Sequence, residues 1–398
     1  MKKYNFFPMV LMSINPILGF LSSLYNIVRL KDSAIYFAIS VAIIAIYFPI
    51  MYDTSANFFK VNHTNFTVFL EPYIAIPYFL KQKLGIDFYY FIFFNIIFVI
   101  YTWTKIVLKA FKSTNLRYQS ILILIVLLFT FNYRDLMDIN RTIFSYSFFF
   151  YYIFLIEKKN IVKNIFFFLM AAWFHFSSLI LIVFYIVSFV RLDYRINLII
   201  LITSTFIGIY LTDFVSAFEA LITRVPIVGS TLNFYFYSDT YGVQSFTLGT
   251  FLKKFTNCFF VFFSCLYAIL IIKNNQKDRI LQFIIFLGCL ELIFMGFVTF
   301  FERINLAFNF LFIYLFFKGF NERYNIFLTG IIFFRSVCVY FLIYIPIFIG
   351  NYNDVMISID KKNEMLVKPI YYFTPFLIDI HNNGYSDSFI KNNSIWKD

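Results

Sequence analysis

Apolar residues run along this chain in blocks of roughly 15–24, separated by short polar breaks, from near residue 6 to residue 349. Wound as a helix, a block of that length matches a bilayer hydrocarbon core of about 30 Å. Segments such as SILILIVLLFTF (120–131) and ILQFIIFLGCLELIF (280–294) are apolar on every face, whereas barrel strands alternate strictly. The pattern therefore predicts an all-α polytopic membrane protein. Its spans fall at about 6–28, 33–51, 87–108, 118–133, 142–156, 164–176, 177–190, 196–216, 249–272, 280–300, 304–320 and 326–349, twelve in number. The first block contains Asn15 and Pro16 and lacks a small-residue cleavage site, so it reads as a retained helix and not a removed signal peptide.

Two stretches interrupt the rhythm. Residues 52–86 read as a long loop whose apolar piece PYIAIPYFL (72–80) is too short to span, and 217–248 is a Gly/Pro/Tyr-rich loop. Loops of this length between membrane helices are disproportionately functional. The expected organisation is one transmembrane domain, 1–349, followed by a polar tail, 350–398. If both long loops face outward, the breaks near 29–32, 109–117, 157–163, 191–195, 273–279 and 318–325 face the cytoplasm, and each carries Lys or Arg. That agrees with the positive-inside rule and puts the tail outside; Lys2, Lys3, Lys253 and Lys254 run against it.

Composition sharpens this picture. Hydrophobic residues make up 61% and charged residues only 14%, which excludes soluble enzymes and nucleic-acid-binding modules. The net charge of +12 belongs to topology before it belongs to any polyanion. The 62 phenylalanines fit an AT-rich coding sequence and carry no functional inference. Cys258, Cys265, Cys289 and Cys338 lie in apolar spans without metal-ligand spacing, as small core residues do. No repeat of Gly/Pro-broken helices relates the two halves, which weakens a secondary-transporter reading.

With so few charges, those on the outer side stand out. Arg134 and Arg141 bracket the turn RDLMDINR, Arg224 lies in the large loop, Arg303 sits in FER between two spans, and Arg335 lies inside the last span. Arginine beside hydrocarbon is costly, and guanidinium suits phosphate through paired planar donors and a charge that does not titrate. Each alone also reads as a snorkelling or salt-bridged residue beside Asp135, Asp138 or Glu302. His175, at an outward helix end before Ser177 and Ser178, is placed to act as a base toward a hydroxyl or to pack through hydrogen bonds. Asp53 and Glu71 are acidic candidates for sugar hydroxyls, and Tyr237 in FYFYSDTY (234–241) offers a ring face to a pyranose. The outer side has no Asp-x-Asp cluster, so no metal or other cofactor is expected. Glu291, buried within a span, calls for a cation or polar partner in the bundle.

The stretches YDTSANFF and LEPYIAIPYFLKQKLGIDFYYFIFF (52–59, 70–94), INRTIFSYSFFFYYIFLIEKKN (139–160) and FFFLMAAWFHFSSLILI (166–182) resemble the EpsG family of Wzy-type polysaccharide polymerases. Asp53, Glu71-Pro72, Arg141 and Phe174-His175-Phe176-Ser177 occupy the places of that family's acidic residues, its Arg-Gln pair and its Phe-His-x-Ser, and Arg303 resembles a later Arg-containing segment. The likeness is good over about 50–190 and only topological beyond. It departs at Thr142, where the family usually shows Gln.

The resemblance implies a GT-C-like, metal-independent glycosyltransferase of the bacterial inner membrane, with its active site facing the periplasm. It would join undecaprenyl-pyrophosphate-linked repeat units into O-antigen or related polysaccharide. The implied partners are the lipid-linked donor and acceptor, membrane lipids and a chain-length regulator, with no nucleic acid. In that reading Arg141, His175 and Arg303 are catalytic; Asp53, Glu71, Arg134, Arg224, Arg335 and Tyr237 bind substrate. A flippase for the same unit and an O-antigen ligase-like transferase remain as alternatives.

Overall fold

The computed structural model describes residues 7–46, 52–63, 71–114, 118–137, 139–158, 160–217, 248–274, 278–318 and 322–341. Among the described residues the secondary structure is helical, with no strand element. Four helical stretches are long and apolar enough to cross a membrane, Phe88–Lys112, Tyr194–Ala217, Phe251–Lys273 and Thr299–Lys318; shorter apolar helices accompany them. These four coincide with the expected spans 87–108, 196–216, 249–272 and 304–320. The chain divides into two compact units that meet in sequence at Leu179 and Ile180.

The first unit contains α1 (Phe7–Ile14), α2 (Pro16–Val28), α3 (Ala34–Ala45), α4 (Tyr52–His63), α5 (Pro72–Leu84), α6 (Phe88–Lys112), α7 (Gln119–Phe129), α8 (Tyr133–Met137), α9 (Asn140–Leu155) and α10 (Ile161–Phe174). The first expected span is two helices and not one. Asn15 takes extended backbone angles and its side chain accepts from the N–H groups of Ile17 and Leu18, while Pro16 opens the second helix. Asparagine as N-cap and proline at the first helical position suit a helix start, not a helix interior. The expected loop 52–86 is likewise largely helical. α5 starts on Pro72 and stops at Gly85, whose φ of 64° is the left-handed conformation that glycine adopts without strain.

α3 packs on α6, α6 on α9, and α9 on α10. The α9–α10 contact is built from rings: Phe144 and Phe148 meet Phe174 at 5.0 and 5.4 Å, and Phe149 meets Phe168 at 5.1 Å. At one end of this unit Lys105 pairs with Asp32 at 2.6 Å, Lys109 donates to the Phe154 carbonyl at 2.8 Å and Ser120 donates to the Val28 carbonyl at 3.2 Å. These bonds gather the ends of α2, α6 and α9 beside the starts of α3 and α7.

The second unit holds most of α11 (Ser178–Val187), then α12 (Tyr194–Ala217), α13 (Leu248–Lys273), α14 (Arg279–Ile293), α15 (Val298–Leu311), α16 (Ile313–Lys318) and α17 (Glu322–Val339). α14 packs against α12, α13 and α15, and α13 against α17. The α12–α14 approach is close: a Cβ on Gly208 would lie 1.9 Å from the Leu292 carbonyl oxygen. Small residues of this kind let membrane helices come together.

One end of this unit is also knit by cations. Arg279 donates to the Tyr185 carbonyl at 2.7 Å and lies over the Tyr185 and Phe189 rings, and Lys318 pairs with Asp278 at 3.3 Å. Beside them the amides of Gln282 and Asn197 bond reciprocally at 2.7 and 3.1 Å.

Candidate active site

The stretch RDLMDINR is not a bare turn: α8 occupies its first half and α9 begins at Asn140. Asn140 is buried, and its carbonyl oxygen accepts from the Tyr73 hydroxyl of α5 at 2.8 Å and from the Asn95 amide of α6 at 3.0 Å. Its own amide donates to the Leu136 carbonyl of α8 at 2.8 Å. One side chain thus ties the start of α9 to three other helices. Thr54 on α4 adds a fourth through its 2.6 Å bond to the Met137 carbonyl, next to Asp53 in the first turn of α4.

Arg141 follows Asn140 and points away from that core. Its guanidinium meets Glu71, which opens α5, at 3.3 Å, with side-chain exposures of 26% and 52%. A cation at a helix N-terminus works against the helix dipole, so helix stability does not account for it. The Glu71 contact uses one of the guanidinium's five donors. Thr142, in place of the family's glutamine, is buried.

His175 terminates α10 with extended backbone angles, its N–H bonded to the Ala171 carbonyl at 3.1 Å. Its Nδ1 accepts from the Ser177 N–H at 3.0 Å and lies 2.8 Å from the Ser177 hydroxyl. The Tyr146 hydroxyl of α9 donates to that same Ser177 oxygen at 3.1 Å. One residue earlier, Ser145 donates to the Ala171 carbonyl at 2.7 Å and bonds Ser178. His175 is therefore held by the second turn of the helix whose first turn bears Arg141, about 6 Å along the axis at 1.5 Å per residue.

In the second unit, Glu302 and Arg303 stand on α15, inside the stretch Thr299–Lys318, and not between two spans. The reason is an earlier stop: α14 ends at Ile293, a turn follows, and α15 has begun by Val298. Glu302 pairs with Lys253 of α13. Arg335 lies in the interior at 4% exposure. Its Nη1 donates to Asn309 at 3.0 Å, Asn309 donates to Asn305 at 3.4 Å, and Asn305 donates to the fully buried Glu291 at 2.6 Å. The guanidinium also sits 4.7 Å from the Phe260 ring centre. Glu291 thereby reaches its expected cation through two amides.

Of the residues singled out from the sequence, Glu71, Arg141 and His175 converge on α9, with Asp53 on the neighbouring α4. Arg303 and Arg335 belong to the other unit. Arg134 stands on α8 with its side chain outside the described residues; Arg224, Tyr237, the loop 218–247 and the tail 350–398 lie wholly outside them. Among the described residues no three His, Cys, Asp or Glu gather as metal ligands, and the four cysteines are free thiols. Sequence reasoning missed Asn140, Asn95, Tyr73 and Tyr146. An asparagine inside the apolar run FFNII and another opening a helix were the available signals.

No curated protein and no solved structure matches the chain. A family model does, over residues 72–358, which takes in both units and extends the likeness well past the stretch 50–190 that carries the motifs. Asp53 and Glu71 fall just ahead of it; Arg141, His175 and Arg303 fall within it. With the match covering well over half of its length, this chain belongs to the EpsG family, a family of Wzy-type polymerase-like membrane proteins.

Proposed function

We propose that this protein polymerises oligosaccharide repeat units carried on undecaprenyl pyrophosphate, at the periplasmic face of the bacterial inner membrane. The observation that carries the reading is the end of the first unit where Glu71, Arg141 and the His175 corner meet on α9, away from the end held by Lys105 and Lys109. A lysine-rich end on the cytoplasmic side leaves the arginine end outward. The family membership supports a polysaccharide polymerase over an unrelated membrane protein.

In this mechanism Arg141 and the first N–H groups of α9 hold the donor pyrophosphate, with Glu71 as the partner that a phosphate displaces. The same guanidinium stabilises the charge that develops on the leaving oxygen. Asp53 shapes the sugar pocket, and His175 meets the reacting groups. The anomeric C–O bond to pyrophosphate breaks, a bond to the acceptor hydroxyl forms, and the hydroxyl proton ends on the released lipid pyrophosphate. No metal is required by this scheme. Twelve crossings, an outward tail and a docked chain-length regulator complete the proposal.

The test is the surface glycan of a deletion strain complemented with Arg141→Ala at wild-type protein level. Single repeat units in place of long chains are expected. Normal long-chain polymer would refute the assignment. In the deletion strain itself, unattached polymer would instead indicate a ligase, and absence of any surface unit a flippase.

A further inference from the structure

The histidine corner has a direction. The backbone N–H of Ser177 donates to His175 Nδ1 at 3.0 Å, so that nitrogen presents its lone pair and carries no hydrogen. Neutral imidazole then bears its hydrogen on Nε2. The Ser177 hydroxyl lies 2.8 Å from the same Nδ1, and its oxygen accepts from the Tyr146 hydroxyl at 3.1 Å. With Tyr146 as donor, the Ser177 hydrogen is released toward the ring, and the chain runs one way: Tyr146 O–H to Ser177 O–H to Nδ1. Hydrogen bonds in series polarise one another, and donation into Nδ1 draws density from the ring, making Nε2–H a better donor. Ser145, Ser178 and the stack of Phe174 on Phe148 hold the corner that carries this chain.

We infer that His175 works as a hydrogen-bond donor through Nε2 to a phosphate oxygen of the lipid-linked donor, not as the base that deprotonates the acceptor, and that Ser177 and Tyr146 are positioning residues that set its tautomer. This rests on the polymerase reading and deepens it. The acceptor hydroxyl is then deprotonated without a protein base: its proton passes to the pyrophosphate oxygen released when the anomeric bond breaks, so atoms and charge balance between the two substrates. Arg141 on α9 and His175 at the end of α10 become a charged and a neutral donor to one anion.

Side-chain replacements of defined geometry test this in the complemented deletion strain, with protein level followed by immunoblot and glycan length by gel. Glutamine puts an N–H near the place of imidazole Nε2 but has no basic nitrogen; asparagine reaches only the place of Nδ1. His175→Gln is expected to keep polymer within about tenfold of wild type, while His175→Ala and His175→Asn lose about a hundredfold, the scale of one preorganised donor. If His175→Gln is as inactive as His175→Ala at equal protein level, the donor role is wrong and the polymerase reading stands. If all three make normal polymer, His175 has no part in the reaction and the site reading itself fails there. A second pair guards against misfolding. Ser177→Ala is expected to lower polymer about tenfold, the worth of one hydrogen bond, with recovery in Ser177→Thr. Wild-type chain length in Ser177→Ala would overturn the positioning role.

Discussion

Both units place an arginine within reach of a glutamate's influence, and they do so in opposite ways. In the first unit Arg141 touches Glu71 directly across 3.3 Å, at a partly exposed helix end. In the second, Arg335 and Glu291 are buried and never meet; two asparagines on α15 stand between them. An exposed pair is weak and exchangeable, because water and salt already screen it. A buried chain of charged and amide groups is a fixture, since removing any member strands the rest in a medium that cannot solvate them. The contrast separates an arginine that, in the proposed mechanism, trades its carboxylate for a substrate phosphate from one that holds helices together.

The largest effect should come from breaking the buried side of this contrast. Arg335→Ala strands Glu291 and the two amides, and a loss of about 3–5 kcal/mol is expected. Thermal melting of the detergent-solubilised protein reads it; a melting point equal to wild type would remove the distinction drawn here.

Next comes the pin beneath the exposed pair. Asn140→Ala leaves the Tyr73 hydroxyl and the Asn95 amide without their shared acceptor, at a cost of about 2–3 kcal/mol. Polymer should fall further than that destabilisation explains, because the start of α9 also aims Arg141. Equal losses of stability and polymer would make Asn140 purely structural.

Glu71→Gln should alter stability by less than about 1 kcal/mol. Measured beside Arg335→Ala, a comparable loss of melting temperature in the two would erase the difference between exposed and buried arginines.

The smallest effect tests a partly exposed pair at the other end of the first unit from Arg141. Burial pushes Asp32 up, but its bond to Lys105 and that lysine's charge outweigh burial and hold it below the ordinary carboxylate value of 3.8. A lowered folded value means the contribution is complete above the unfolded value and is lost as pH falls through the folded one. Acidification below about pH 4 should therefore cost wild type slightly more stability than Asp32→Asn. Identical acid profiles for the two proteins would contradict it.

What the sequence disclosed follows from the range of the forces involved. Apolar runs report burial locally, so the helical membrane character was readable from 120–131 or 280–294 alone. Punctuation was readable too, and under-used: Asn15-Pro16 marks a helix start inside the first run, and Pro72 with Gly85 brackets a helix where a loop was expected. The α14–α15 break that moves Arg303 into a helix is marked only by Gly296, in a stretch, FMGFVTF, as apolar as its flanks. Partnerships were out of reach because they join distant positions. Tyr73 meets Asn140 across 67 residues, and Lys253 meets Glu302 across 49. Arg141 and His175 were singled out by residue type, and Ser177 by its motif; the asparagine and tyrosine packed behind them were not, because such residues are unremarkable until the fold sets them side by side.

The interlocked rings of α9 and α10 have one more consequence. Phe144, Phe148 and Phe174 fix the helix end that carries His175 before any glycan arrives. The configurational entropy of that corner is lost during folding, so in the proposed mechanism a sugar chain entering the site would meet a frame already in place, its binding free energy left for the reacting bond. In a chain this rich in phenylalanine, the aromatic packing would then serve as a rigid mount for the proposed chemistry.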